Sequence, residues 1–218
     1  MSMHKVRIFN RFERFWHWTQ MLLIFVLLAT GFSIHGLIDG VDFEDAVTTH
    51  VVAALGLMLL WVFAVFWHLT TGTWRHYLPT TDGLWPVVRF YAWDIFRGKD
   101  HPYRKHFWRK HNPLQAATYL LLKLVLFPLI WISGLLYLSY GLWSNGPLTN
   151  GELEWVAWIH TFLAFAMLAF IIAHVYMLTT GHSFVDHVKP MITGYDDVDL
   201  SDEELAYLRR DEPWRLKE

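Results

Sequence analysis

Four long apolar runs constrain this chain more than any other feature. They lie at about Phe15–His35, Ala46–Leu69, Ala116–Tyr140 and Trp155–Thr179. Each approaches the roughly 20 residues that a helix needs to cross a hydrocarbon core. No water reaches that core to satisfy backbone N–H and C=O groups, so isolated segments of this kind must be helical. The runs explain a mean hydropathy of +0.25, too apolar for an ordinary soluble domain. The first run carries aromatics and His17 and shows no small-residue cleavage site, so it reads as a retained helix rather than a signal peptide. The expected fold class is all-α and integral to a membrane. A bundle of four transmembrane helices should occupy residues 1–190, with an acidic cytoplasmic tail over 191–218.

Orientation follows from the basic residues. Lys5, Arg7, Arg11 and Arg14 precede or open the first run. Arg75, Arg89, Arg97, Lys99, Arg104, Lys105, Arg109 and Lys110 lie between the second and third runs. The loops Gly36–Asp45 and Gly141–Glu154 carry no Lys or Arg. The positive-inside bias then places both termini and the 70–113 loop of a multi-pass chain in the cytoplasm. The 70–113 loop is long for a simple connection. Within it, Gly83–Phe96 reads either as an amphipathic helix at the headgroups or as a buried loop segment. The rest, rich in bases and aromatics, suits a partner or anionic lipid. Ser201-Asp202-Glu203-Glu204 has the pattern of a helix start in the tail. No Gly-rich phosphate loop or nucleic-acid signature is present. The chain has no cysteine, which excludes thioether-linked haem, cysteine-ligated iron–sulfur clusters and disulfides.

Four histidines near the ends of the runs carry the chemistry: His17, His50, His160 and His174. Intramembrane imidazole is costly without a partner. His160 and His174 are 14 residues apart, nearly four turns, so they share a helix face at an axial separation of roughly 21 Å. His50 and His160 each lie just inside the outer end of their runs, while His17 and His174 lie near inner ends. Depth therefore pairs His50 with His160 and His17 with His174. Two imidazoles at each of two depths is the ligand set of two stacked, non-covalent b haems. Bis-imidazole ligation leaves no iron position for substrate, so such centres pass electrons. His68 competes with His17 as the inner ligand: it shares a face with His50 but lies roughly 27 Å from it. It otherwise faces headgroups or a haem propionate. Gly31, 14 residues after His17, offers a surface without a side chain, either for close approach of a macrocycle or for plain helix packing. Gly56 and Gly134 are similar. Arg14, one turn before His17, suits a propionate or a membrane anchor. Lys123, two turns into the third run, departs from a purely apolar pattern and snorkels or meets a propionate. His4, His35, His76, His101, His106, His111, His182 and His187 are terminal, loop or span-end residues.

A further set of residues carries a family likeness. The run Arg11-Phe12-Glu13-Arg14-Phe15-Trp16-His17-Trp18, the pair Thr30-Gly31, the segment Asn112-Pro113-Leu114-Gln115 and the His160/His174 spacing together resemble the bacterial di-haem cytochrome b subunits. These are the gamma subunit of membrane formate dehydrogenase, the cytochrome b of nickel–iron hydrogenase and thiosulfate-reductase-type relatives. The resemblance covers about residues 8–190 and implies a four-helix membrane anchor. It implies haem ligands at His17, His50, His160 and His174. It also implies a quinone site on the cytoplasmic side lined by Asn112, Gln115 and His174, taking menaquinone or ubiquinone. Without the resemblance, Asn112 and Gln115 read as helix-start residues.

The expected function is electron transfer between a periplasmic iron–sulfur or multihaem subunit and the quinone pool, within a hetero-oligomeric respiratory complex. The competing readings are a self-contained transmembrane oxidoreductase acting on ferric ion or a small donor, and a haem-free scaffold with packed histidines.

Overall fold

All four apolar runs are helical, and each helix begins upstream of its run. The computed structural model describes residues 2–99, 102, 111–143, 150–179 and 184–217. Its elements in order are β1 (Ser2–Arg7), α1 (Arg11–Ile34), α2 (Phe43–Thr71), α3 (Leu84–Ala92), α4 (Pro113–Leu138), α5 (Asn150–Leu178), α6 (Phe184–Thr193), β2 (Tyr195–Leu200) and α7 (Asp202–Asp211). Helices α1, α2, α4 and α5 are long and apolar enough to cross a membrane. Their early starts reflect polar first turns that an apolar window does not register. The Asn10 amide donates to the Glu13 carboxylate (2.8 Å), and α2 opens on Glu44 and Asp45, acids suited to a helix N-terminus. His101, His106, His182 and the basic residues Arg104, Lys105, Arg109 and Lys110 lie outside the described residues, as does 144–149 of the second acidic loop.

The chain divides into two bodies. One comprises Met1–Trp18, His68–Tyr119 and Val175–Glu218. The other comprises Thr19–Trp67 and Leu120–His174.

The first body adds a two-stranded sheet to the helices. Within the acidic tail, a strand precedes the expected helix. β2 pairs antiparallel with β1, with His4 opposite Val198 and Val6 opposite Asp196. Alternation turns Val198 and Leu200 inward and leaves Asp197 exposed. Val6, Val198, Leu200 and Leu208 form a small core, with Ile8, Leu205 and Leu216 packed against it. Burial of each such side chain contributes about 1.5–3 kcal/mol. The C-terminal end adds to the same edge: Leu216 bridges Val6, and the Lys217 amide donates to the Lys5 carbonyl (3.0 Å). α7 starts on the capping box expected at Ser201, with the Glu204 amide donating to Ser201 Oγ (3.2 Å) and the Ser201 amide to Glu204 Oε2 (2.8 Å).

Gly194 joins α6 to β2 with φ +90°, and a Cβ there would lie 2.8 Å from the Phe9 carbonyl oxygen. Its own carbonyl accepts from the amides of Ile8 and Phe9. Only glycine meets both demands. In the same body, α3 buries Val87 and Phe90 and exposes Trp85, so Gly83–Phe96 contains a helix with one buried face.

The second body is a bundle of the four apolar helices. α2 buries Ala53, Leu57, Leu60 and Ala64 on one stripe and leaves Val52, Leu59, Val62, Phe63 and Phe66 more than half exposed. An apolar outer surface of this extent suits lipid rather than water. Trp61 of α2 meets Trp131 of α4 edge to face (5.0 Å). α4 contains a π turn at Leu122–Leu126, immediately before Pro128. Proline has no N–H for the i−4 carbonyl and its ring crowds that carbonyl, which accounts for the local widening. Lys123 sits in this π turn.

Gly194→Ala should cost about 1–3 kcal/mol, because it combines left-handed strain with a backbone clash. Hydrogen exchange on the detergent-solubilised protein checks this: protection of residues 2–8 and 195–200 should fall together, and unchanged protection would contradict the assignment.

Candidate functional site

In the second body, the structure brings His50 of α2 and His160 of α5 together, with ring centroids 6.3 Å apart. That spacing accommodates one metal ion with an imidazole nitrogen about 2.0–2.1 Å away on each side. Each ring is held at Nδ1. Thr30 Oγ1 of α1 lies 2.8 Å from His50 Nδ1, and Ser133 Oγ of α4 lies 2.9 Å from His160 Nδ1. Nε2 is then the nitrogen each ring has left for a ligand. Tyr137 presents a ring edge to His160 (6.0 Å).

The neighbouring glycines serve the imidazoles directly. A Cβ on Gly31 would meet His50 Cε1 at 3.7 Å, and one on Gly134 would meet His160 Cε1 at 3.3 Å. The space identified at Gly31 therefore lies beside a histidine ring. Gly56 faces Leu23 instead and belongs to helix packing.

Among the described residues, no group of three or more His, Cys, Asp or Glu could hold a bare metal ion. Two imidazoles alone suit an ion that brings its own equatorial ligands, as haem iron does. The donor set, its spacing and the glycine relief all fit a haem.

The remaining histidines are placed separately. His174 is the last residue of the second body and stacks on Phe170, one turn earlier in α5 (5.6 Å, 18°). His17 belongs to the first body and meets Trp18 edge to face (5.4 Å). His68, also in the first body, is buried, with its ring edge to face with Trp16 (5.4 Å). Arg14 is turned to protein. Its Nη1 donates to the Ile192 carbonyl, and Trp18 Nε1 donates to the Met191 carbonyl (2.9 Å). One turn apart on α1, the two residues satisfy carbonyls at the C-terminal end of α6.

Asn112 and Gln115 come together as a reciprocal cap on α4. The Gln115 amide donates to Asn112 Oδ1 (2.8 Å), and the Asn112 amide donates to Gln115 Oε1 (3.1 Å). Both side-chain oxygens are thereby engaged, which leaves the two side-chain NH₂ groups as donors. Asn112 is buried, and its Nδ2 reaches the Tyr91 hydroxyl at 3.5 Å. Burial pushes the Tyr91 phenol above its ordinary pKa, with the Asn112 contact opposing. Sequence reasoning missed Tyr91, because its helix α3 meets Asn112 only through tertiary packing. It also missed Ser133, although Ser133-Gly134 repeats the Thr30-Gly31 pattern.

The prokaryotic cytochrome b561 family matches residues 8–194. The chain belongs to that family. A similar curated protein is the one named "Putative cytochrome YdhU" of Escherichia coli (strain K12), 31% identical over 197 residues, covering 88% of this chain and 74% of the relative. No solved structure matches the chain. Membership makes this a membrane b-type cytochrome of electron transfer and implies haem b, in agreement with the four long apolar helices. The family match contains every candidate ligand, while all of β2 and α7 lie beyond it.

The Tyr91 shift has a pH consequence. The folded state holds the phenolic proton more tightly than the unfolded state, whose phenol titrates near 10.0. Stability should therefore fall as pH rises above 10.0, and Tyr91→Phe should reduce that loss. Thermal midpoints by circular dichroism between pH 9 and 11 check this; equal slopes for the two proteins would contradict it.

Proposed function

We propose that this cytochrome is the membrane subunit of a respiratory oxidoreductase complex, linking a redox partner outside the inner membrane to the quinone pool through two bis-histidine b haems. The observation that carries the reading is the facing pair His50 and His160, each held at Nδ1 and each beside a glycine. Haem b, when bound, supplies a one-electron centre with both axial positions filled. His50 and His160 hold the outer one, nearest the periplasmic iron–sulfur or multihaem partner. His17 and His174 hold the inner one, a pairing supported by matched depth and by the family likeness.

Asn112 and Gln115 donate their side-chain amide protons to a quinone carbonyl, since their oxygens are engaged in the α4 cap. The family likeness adds His174 to that set. The basic residues of the 70–113 loop and the N-terminus support a cytoplasmic placement of both termini. Quinone reduction then draws protons from the cytoplasm. The acidic outer loops, free of Lys and Arg, disfavour an anionic substrate there and favour a protein partner.

The purified protein should give a b-type spectrum and about two haems per chain by pyridine haemochrome. His174→Ala should remove one haem together with reduction by a quinol, while His160→Ala should remove the other. No haem would overturn the reading. Loss of the inner haem in His68→Ala rather than His17→Ala would overturn the inner pairing.

A further inference from the structure

Two hydroxyls outside the proposed ligand set occupy equivalent places in the second body. Thr30 precedes Gly31 on α1 and meets His50 on α2; Ser133 precedes Gly134 on α4 and meets His160 on α5. In each case a hydroxyl-glycine dipeptide on one helix grips a histidine on the next. The hydroxyl takes Nδ1, and the glycine leaves room for Cε1.

The direction of the hydrogen bond follows from where each hydroxyl proton goes. Thr30 Oγ1 donates to the Val26 carbonyl (2.7 Å), with Leu27 O as a longer alternative (3.2 Å). Ser133 Oγ donates to the Ile130 carbonyl (2.9 Å). A hydroxyl has one proton, so each oxygen must accept from its histidine. Both imidazoles therefore carry their proton on Nδ1 and keep a lone pair on Nε2. Hydroxyls that bond only their own helix would serve packing. These two, buried at 9% and 4% exposure, make a second bond to a neighbouring helix.

We propose that Thr30 and Ser133 are positioning residues that hold His50 and His160 in the ligand tautomer and, by accepting the Nδ1 proton, increase electron donation from Nε2 to iron. Stronger donation favours the ferric state, so these hydroxyls lower the potential of the outer centre. The proposal rests on the outer-haem reading above. It also assigns the hydroxyl-glycine pairs as a repeated device, one per ligand.

The test is a spectroelectrochemical titration of the intact cytochrome, with haem content measured on each sample. The outer component is the one missing in His50→Ala. Thr30→Val keeps the shape of the side chain and removes the acceptor; Ser133→Ala removes one oxygen. Each should retain haem when loaded and raise the outer potential by about tenfold in the reduced-to-oxidised ratio at fixed poise, or 59 mV for one electron. Thr30→Ser and Ser133→Thr should restore it. Should Thr30→Val not fold, Ser133→Ala and Ser133→Thr carry the same expectation. Full haem with unmoved potentials would overturn the proposal, as would Thr30→Ser shifting as far as Thr30→Val. A His50→Ala protein with unchanged haem content would instead overturn the outer-haem reading and the proposal with it.

Discussion

An imidazole inside a lipid-embedded helix has two nitrogens to satisfy and no water to do it. The arrangement of the second body follows from that constraint. At His50 and His160 one nitrogen is answered by a hydroxyl on a neighbouring helix, which ties α1 to α2 and α4 to α5. The other nitrogen is the one that the proposed haem would take. Gly31 and Gly134 let the rings lie close to the backbone, and the outward faces are left to apolar side chains. In the proposed outer-haem site the same residues solve a solvation problem and prepare a metal centre, with each shared hydroxyl fixing which nitrogen is offered.

The first body obeys a different physics, that of a miniature apolar core between two strands and a helix. Val6, Val198, Leu200 and Leu208 are too few to hold a free-standing domain, but they join two strands nearly 190 residues apart in the chain. Gly194 and the contacts of Arg14 and Trp18 with the end of α6 tie this sheet to the start of α1. The chain's two ends are thereby held together.

Much of this was legible in the sequence, for identifiable reasons. Apolar runs one membrane thick leave no choice but helix, and a 14-residue spacing on a 3.6-residue repeat puts His160 and His174 on one face. The Ser201-Glu204 box is a local pattern and appears as read. What escaped is what depends on distant partners. β1 and β2 pair across almost the whole chain, and three aspartates in β2 disguise its alternation. Ser133 gave no signal on its own; only beside Thr30-Gly31 does Ser133-Gly134 become a motif. The contact of His68 with Trp16 was not legible either, because the two residues lie on different helices 52 positions apart. Asn112 and Gln115 were legible as helix-start residues, and they cap α4 reciprocally.

The central claim is that His50 and His160 alone form a complete axial ligand set. It is tested most directly in the His17→Ala/His174→Ala double variant, where the outer site is the one that remains. Electron paramagnetic resonance of the oxidised protein should then show a single low-spin ferric haem, the state that two strong imidazole ligands impose. A high-spin signal, or a folded protein without haem, would contradict it.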